Sequence, residues 1–109
     1  MKNNIRDMWA DALESGEYKK GTGYLRSGDK FCAFGVLCEL AIKNNVISEP
    51  EFVKGDAGDD CYLYDHQACT PPQSVVDWAG TPKMVKILTM NDSGGNSFKS
   101  IAKYIRENL

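Results

Sequence analysis

Apolar positions along the chain recur first at helical spacing. Ile5, Met8, Trp9, Ala12 and Leu13 form one stripe, the period of an amphipathic helix. Asn3 or Asn4 is placed to cap that helix, which runs to about Ser15, and Gly16 supplies a left-handed stop. The pattern then changes. Phe31-Cys32-Ala33-Phe34-Gly35-Val36-Leu37-Cys38-Glu39-Leu40-Ala41-Ile42 is apolar on every side, with Glu39 its one charge. A surface helix is apolar on one stripe only, so this segment is expected to be buried all round. Its 12 residues fall short of the roughly 20 that a membrane span requires.

The stretch between these two segments, Glu17 to Asp29, carries Gly21, Gly23 and Gly28. It reads as a loop or short β-hairpin turning at Ser27-Gly28-Asp29, with Ser27 or Asp29 capping the central helix. Asn44-Asn45 ends that helix. Ser48-Glu49-Pro50-Glu51 has the form of a capping box and predicts a short helix to about Val53. Cys61-Tyr62-Leu63-Tyr64 has strand composition and is expected to pair with the Tyr24 segment. Thr70-Pro71-Pro72-Gln73 reads as a second capping box, opening a helix that Gly80 closes. Thr81-Pro82 opens another, with Met84, Val85, Ile87 and Leu88 as its buried face, a strand being the alternative there. Asn91-Asp92-Ser93-Gly94-Gly95 predicts a turn. Asn96 or Ser97 then caps a last helix with Phe98, Ile101, Ala102, Ile105 and Leu109 inside.

These elements predict an α+β fold. The expectation is one mainly helical domain spanning residues 1–109, with a central buried helix at about 31–43. Five helices, two of them very short, are expected around Phe31–Ile42, with a small two- or three-stranded β element.

Composition narrows the function classes. The 109 residues carry a net charge of −2, with a pI near 5.3. An acidic chain lacks the basic field that nucleic acid or an anionic membrane requires. Met1-Lys2-Asn3-Asn4-Ile5-Arg6-Asp7 has no apolar run behind it, so no signal peptide is expected. Cys32, Cys38, Cys61 and Cys69 then read as reduced thiols. Cys32 and Cys38 point about 120° apart on a helix, so they cannot pair with each other.

Three pieces of the chain resemble a group of small proteins common in phage and prophage genomes. The first is Trp9-x-x-Ala12-Leu13-x-Ser15-Gly16-x-Tyr18 with Gly23-x-Leu25. The second is Phe31 to Ala41, and the third is Met90-Asn91-Asp92-x-Gly94 running into Ser97-Phe98-x-x-Ile101-Ala102-x-x-Ile105. In that group a Cys-x-Leu-Gly-Val-Leu-Cys stretch precedes a Leu-Asn-Asp loop. This chain has Phe34 and Met90 where the group has leucine, both apolar exchanges. The likeness spans most of the chain except Asn44 to Thr70. It implies a phage-like origin and a life in the cytoplasm of an infected bacterium, and brings no activity with it.

Candidate chemistry is sparse. Cys32 at a helix head, His66 and Asn91 follow the chain order of papain-like thiol enzymes, without their local signature. Cys61-x4-His66-x2-Cys69 offers three metal-type ligands where structural zinc takes four, so no metal or cofactor is assigned. The helix pair at 82–107 resembles a DNA-reading pair, with Lys99, Lys103 and Arg106 available to phosphates. Lys19-Lys20-Gly21-Thr22-Gly23-Tyr24-Leu25-Arg26 joins cations, glycines and an aromatic ring. Backbone N–H groups there can cradle a phosphate. Tyr24, Arg26 and Asp92 are therefore the expected ligand-binding residues, and no catalytic residue is assigned. The leading expectation is a binding protein that captures a host protein or a small nucleotide-like signalling ligand, as an inhibitor of host defence. The alternatives are a small cysteine hydrolase or transferase using Cys32, His66 and Asn91, and a weak DNA-binding helix pair.

Overall fold

The computed structural model describes residues 1–55, 60–80, 84–93 and 95–109. Its first helix, α1, covers Asn3–Glu14 and buries Ile5, Trp9 and Leu13 of the predicted stripe together with Ala10, while Met8 and Ala12 are partly buried. Neither asparagine caps it. Lys2 holds the cap position without a side-chain bond, because Asn3 and Asn4 already lie in the first turn.

The central helix, α2, covers Ala33–Lys43 and is buried over Ala33 to Cys38 and again at Leu40 and Ala41. Trp9 of α1 lies against it. The indole N–H donates to the Ala33 carbonyl at 2.9 Å, and the Trp9 and Phe34 ring centroids are 5.3 Å apart. The cap is Cys32, whose Sγ accepts from the Gly35 N–H at 3.4 Å. Ser27 and Asp29, the expected caps, have other work. The Ser27 hydroxyl donates to the Asp60 carbonyl, and Asp29 pairs with Lys19 at 2.9 Å. That pairing, led by the hydrogen bond from Lys19, holds the Asp29 carboxyl below its usual pKa. Asn45, at φ 61°, takes the chain out of the helix in the left-handed conformation that asparagine tolerates.

Gly35 is fixed by close approach. A Cβ there would lie 1.8 Å from the Leu25 carbonyl oxygen, which itself accepts from the Cys32 N–H at 3.2 Å. The strand segment and the helix head thus meet backbone to backbone, and only glycine leaves the room.

Two small sheets flank the helices. Strands β1 (Lys19–Lys20), β2 (Arg26–Ser27) and β3 (Lys30–Phe31) form one in the order β1-β3-β2. β2 and β3 are the expected hairpin. The parallel pairing of Lys19 with Lys30 and Lys20 with Phe31 was not visible in the sequence pattern. The second sheet joins β4 (Glu51–Val53) and β5 (Cys61–Leu63), antiparallel. This corrects two expectations. The Ser48 capping box does not open a helix, because Phe52 and Val53 favour strand and find cross-strand partners in Tyr62 and Cys61. β5 pairs with β4 instead of the Tyr24 segment, which touches this region through the Leu25 N–H donating to the Ala68 carbonyl at 2.7 Å.

Helix α3 covers Gln73–Ala79 and ends at Gly80 with φ 64°. Thr70 is not its cap. Pro72 holds that position with ψ 151° and no side-chain bond, leaving Thr70 outside the helix. α4 covers Met84–Asp92. The expected start at Thr81-Pro82 lies outside the described residues, as does Gly94. Asn91 and Asp92 form the last residues of α4, where a turn was expected. α5 covers Phe98–Asn108 with Ser97 as cap and buries Phe98, Ile101, Ala102 and Ile105, as the stripe predicts. α5 packs along α1, and α2 touches α1, α3, α4 and β3. The α+β expectation with a central buried helix holds. Among the described residues no helix is long and apolar enough to cross a membrane.

Candidate functional site

The glycine-rich segment between α1 and α2 is held from a distance. Asn91 is 1% exposed and uses both ends of its amide. Its Oδ1 accepts from the Ala33 N–H at 3.0 Å, one of the orphan donors at the head of α2. Its Nδ2 donates to the Gly21 carbonyl at 3.0 Å and to Asp92 Oδ1 at 2.8 Å. Asp92 Oδ1 also accepts from the Gly23 N–H at 3.2 Å. The Lys20 ammonium donates to the Asn91 carbonyl at 2.7 Å. The Asn-Asp pair therefore clasps the glycine loop onto the central helix. Asp92, an expected ligand residue, is exposed but already accepts two hydrogen bonds.

An open depression of about 390 Å³ lies over this loop, lined by Lys20, Gly21, Thr22, Tyr24, Ser27 and Lys30. Lys20, whose ammonium is held by the Asn91 carbonyl, Lys30, a half-buried tyrosine and two hydroxyl residues thus line it. Lys30 makes no ion pair among the described residues. Lys30 and Ser27 are not among the ligand-binding residues expected from the sequence. The signal was present in the hairpin, since the β2–β3 register sets Ser27 opposite Lys30. Arg26 is placed differently from expectation. Its guanidinium lies 4.1 Å from the Tyr62 ring centroid and 5.0 Å from that of Phe31, a cation–π arrangement. It joins the two sheets and does not line the depression.

The thiol site does not assemble. Cys32 is 3% exposed, and burial pushes its pKa up to about 11, away from a nucleophilic thiolate. Asn91 is near it through Ala33, but no hydrogen bond joins His66 to either among the described residues. His66 stands instead in a tight turn. Asp65 and His66 have φ of 49° and 70°. Tyr64 and Gln67 exchange backbone hydrogen bonds across them at 2.9 and 3.0 Å, the pattern of a type I′ hairpin. Cys61 is buried and Cys69 exposed. No group of three or more His, Cys, Asp and Glu could hold a metal ion among the described residues. Of the cations on α5, Arg106 is engaged by Asp11 and Glu14 of α1, which leaves Lys99 and Lys103 facing outward.

A family-wide sequence profile, described as Domain of unknown function (DUF8296), matches residues 1–85. The chain belongs to this family. No curated protein and no solved structure matches it. The DUF8296 match takes in α1, the glycine loop, the depression and α2. Asn91 and Asp92, which clasp that loop in this DUF8296 member, lie beyond the matched residues.

Proposed function

We propose that this DUF8296 protein is a binding protein that captures a small phosphorylated, nucleotide-like ligand in the depression over the glycine loop. One observation carries the reading: Lys20, Lys30, Thr22 and Tyr24 line a single concavity with Gly21. Ammonium groups and hydroxyls suit a phosphate, and Tyr24 offers a ring on which a base can stack. The volume of about 390 Å³ sits at the low end of ligand pockets, which run from about 300 to 1,000 Å³. That favours a mononucleotide-sized ligand. The likeness to phage proteins supports a setting in the cytoplasm of an infected bacterium, where such capture would withdraw a signalling nucleotide from host defence.

Native mass spectrometry of the protein purified from bacterial cytosol, followed by calorimetry with adenosine and guanosine monophosphates and triphosphates, tests this. A bound mass matching a nucleotide is expected, together with affinity that falls in Lys30→Ala and in Tyr24→Ala. A protein that binds none of these nucleotides, or binds them unchanged in both variants, overturns the reading.

A further inference from the structure

Among the described residues, β4 has a strand partner on one side only. Glu51, Phe52 and Val53 pair with Leu63, Tyr62 and Cys61, and these two strands make a sheet by themselves. All three residues of β4 are exposed. An edge strand presents a row of N–H and C=O groups to which another extended chain can add.

The two faces of this sheet differ in chemistry. Phe52 and Tyr62 share one face, their ring centroids 5.2 Å apart, and Phe52 is 52% exposed. Glu51 and Leu63 lie on the other face. There they border an open groove of about 430 Å³ together with Val46, Glu49, Asp65 and His66. Three carboxylates, those of Glu49, Glu51 and Asp65, thus line the groove on one face of the sheet, and an exposed ring stands on the other.

We propose that the free edge of β4 receives an added strand from a partner protein, in a segment that alternates cationic and apolar side chains. Successive side chains of a strand point to opposite faces. Cations of the added strand meet the carboxylates in the groove, while its apolar side chains lie on Phe52. An acidic segment would bring like charge against three carboxylates. A second copy of β4 would bring its own Glu49 and Glu51 into the same place, so self-pairing is disfavoured. The three residues of β4 allow pairing over only about 10 Å, so side-chain chemistry sets much of the preference.

The test is a nitrogen-15 NMR titration of the whole protein with the acetylated and amidated peptide (Lys-Val)3. Shifts are expected at the backbone amides of Glu51, Phe52 and Val53, with affinity that drops on adding salt. Glu51→Lys, at an exposed position, should keep the parent spectrum and lose about tenfold in affinity. The same peptide N-methylated at alternate residues keeps its charges but loses backbone donors, and should not bind. Equal binding of the N-methylated peptide or of (Glu-Val)3 overturns the proposal. So does a spectrum that no peptide perturbs at β4, or dimerisation through β4 without peptide.

Discussion

Asn91 is the buried residue on which most separate parts of the chain depend. Replacing it with alanine removes the acceptor for the Ala33 N–H and the donor for the Gly21 carbonyl. Each buried group left unpaired costs roughly 1–3 kcal/mol. Asn91→Ala should therefore lose about 3 kcal/mol in urea unfolding, and an unchanged midpoint would mean that the clasp is not holding. Cys32 makes a second prediction at this scale. Burial raises its folded pKa to about 11 from the ordinary value of 9.0. The folded state thus keeps a proton that the unfolded state releases first. Stability from this group is intact below the unfolded pKa and is lost as the pH rises through the window from 9.0 to about 11. Stability measured across that window should fall less steeply in Cys32→Ala than in the parent. Alkylation of Cys32 at neutral pH should also be slow until the protein unfolds.

At the scale of elements, caps separate what local sequence decides from what it does not. Ser97 Oγ accepts from the Ser100 N–H at 3.2 Å, whereas Thr70 is exposed and caps nothing. Ser97→Ala should cost about 1 kcal/mol, while Thr70→Ala should stay within about 0.5 kcal/mol of the parent. Thermal melts of the two variants side by side check the contrast. The helices with clear stripes, α1 and α5, were legible because burial follows a 3.6-residue period that sequence displays directly, and α2 because its segment is apolar all round. The capping boxes at Ser48 and Thr70 misled because a cap is a local signal. At Ser48 it lost to cross-strand pairing of Phe52 with Tyr62, and at Thr70 to two consecutive prolines that hold the chain extended. Cys32 as a cap was hidden for a related reason, since a thiol is a weak acceptor that capping rules do not include.

For the molecule as a whole, the sequence exposed the core and concealed its long-range fastenings. Leu37, Phe34 and Trp9 are fully buried, as their patterns imply. The depression was only half legible. Its loop stood out by its glycines and cations, but Lys30 joins it through strand register, and Arg26 leaves it to stack on Tyr62. The α5 contribution is just as global. Phe98, Ile101 and Ile105 belong to the same core as Trp9 and Leu37, although they lie beyond the family-matched residues 1–85. A chain cut after residue 85 should fail to unfold cooperatively and should give a collapsed amide spectrum. A sharp melt of that fragment would mean that the matched residues fold alone.

The clasp also sets an order in time. Its bonds join residues 58, 69, 70 and 71 positions apart, and a non-local contact cannot reward the chain until the intervening segment has been ordered. On the ribosome the glycine loop and the central helix emerge long before Asn91 and Asp92 do. The loop therefore remains unfastened until the end of α4 has emerged. A nascent chain that has not yet exposed Asn91 and Asp92 therefore presents the loop without its clasp.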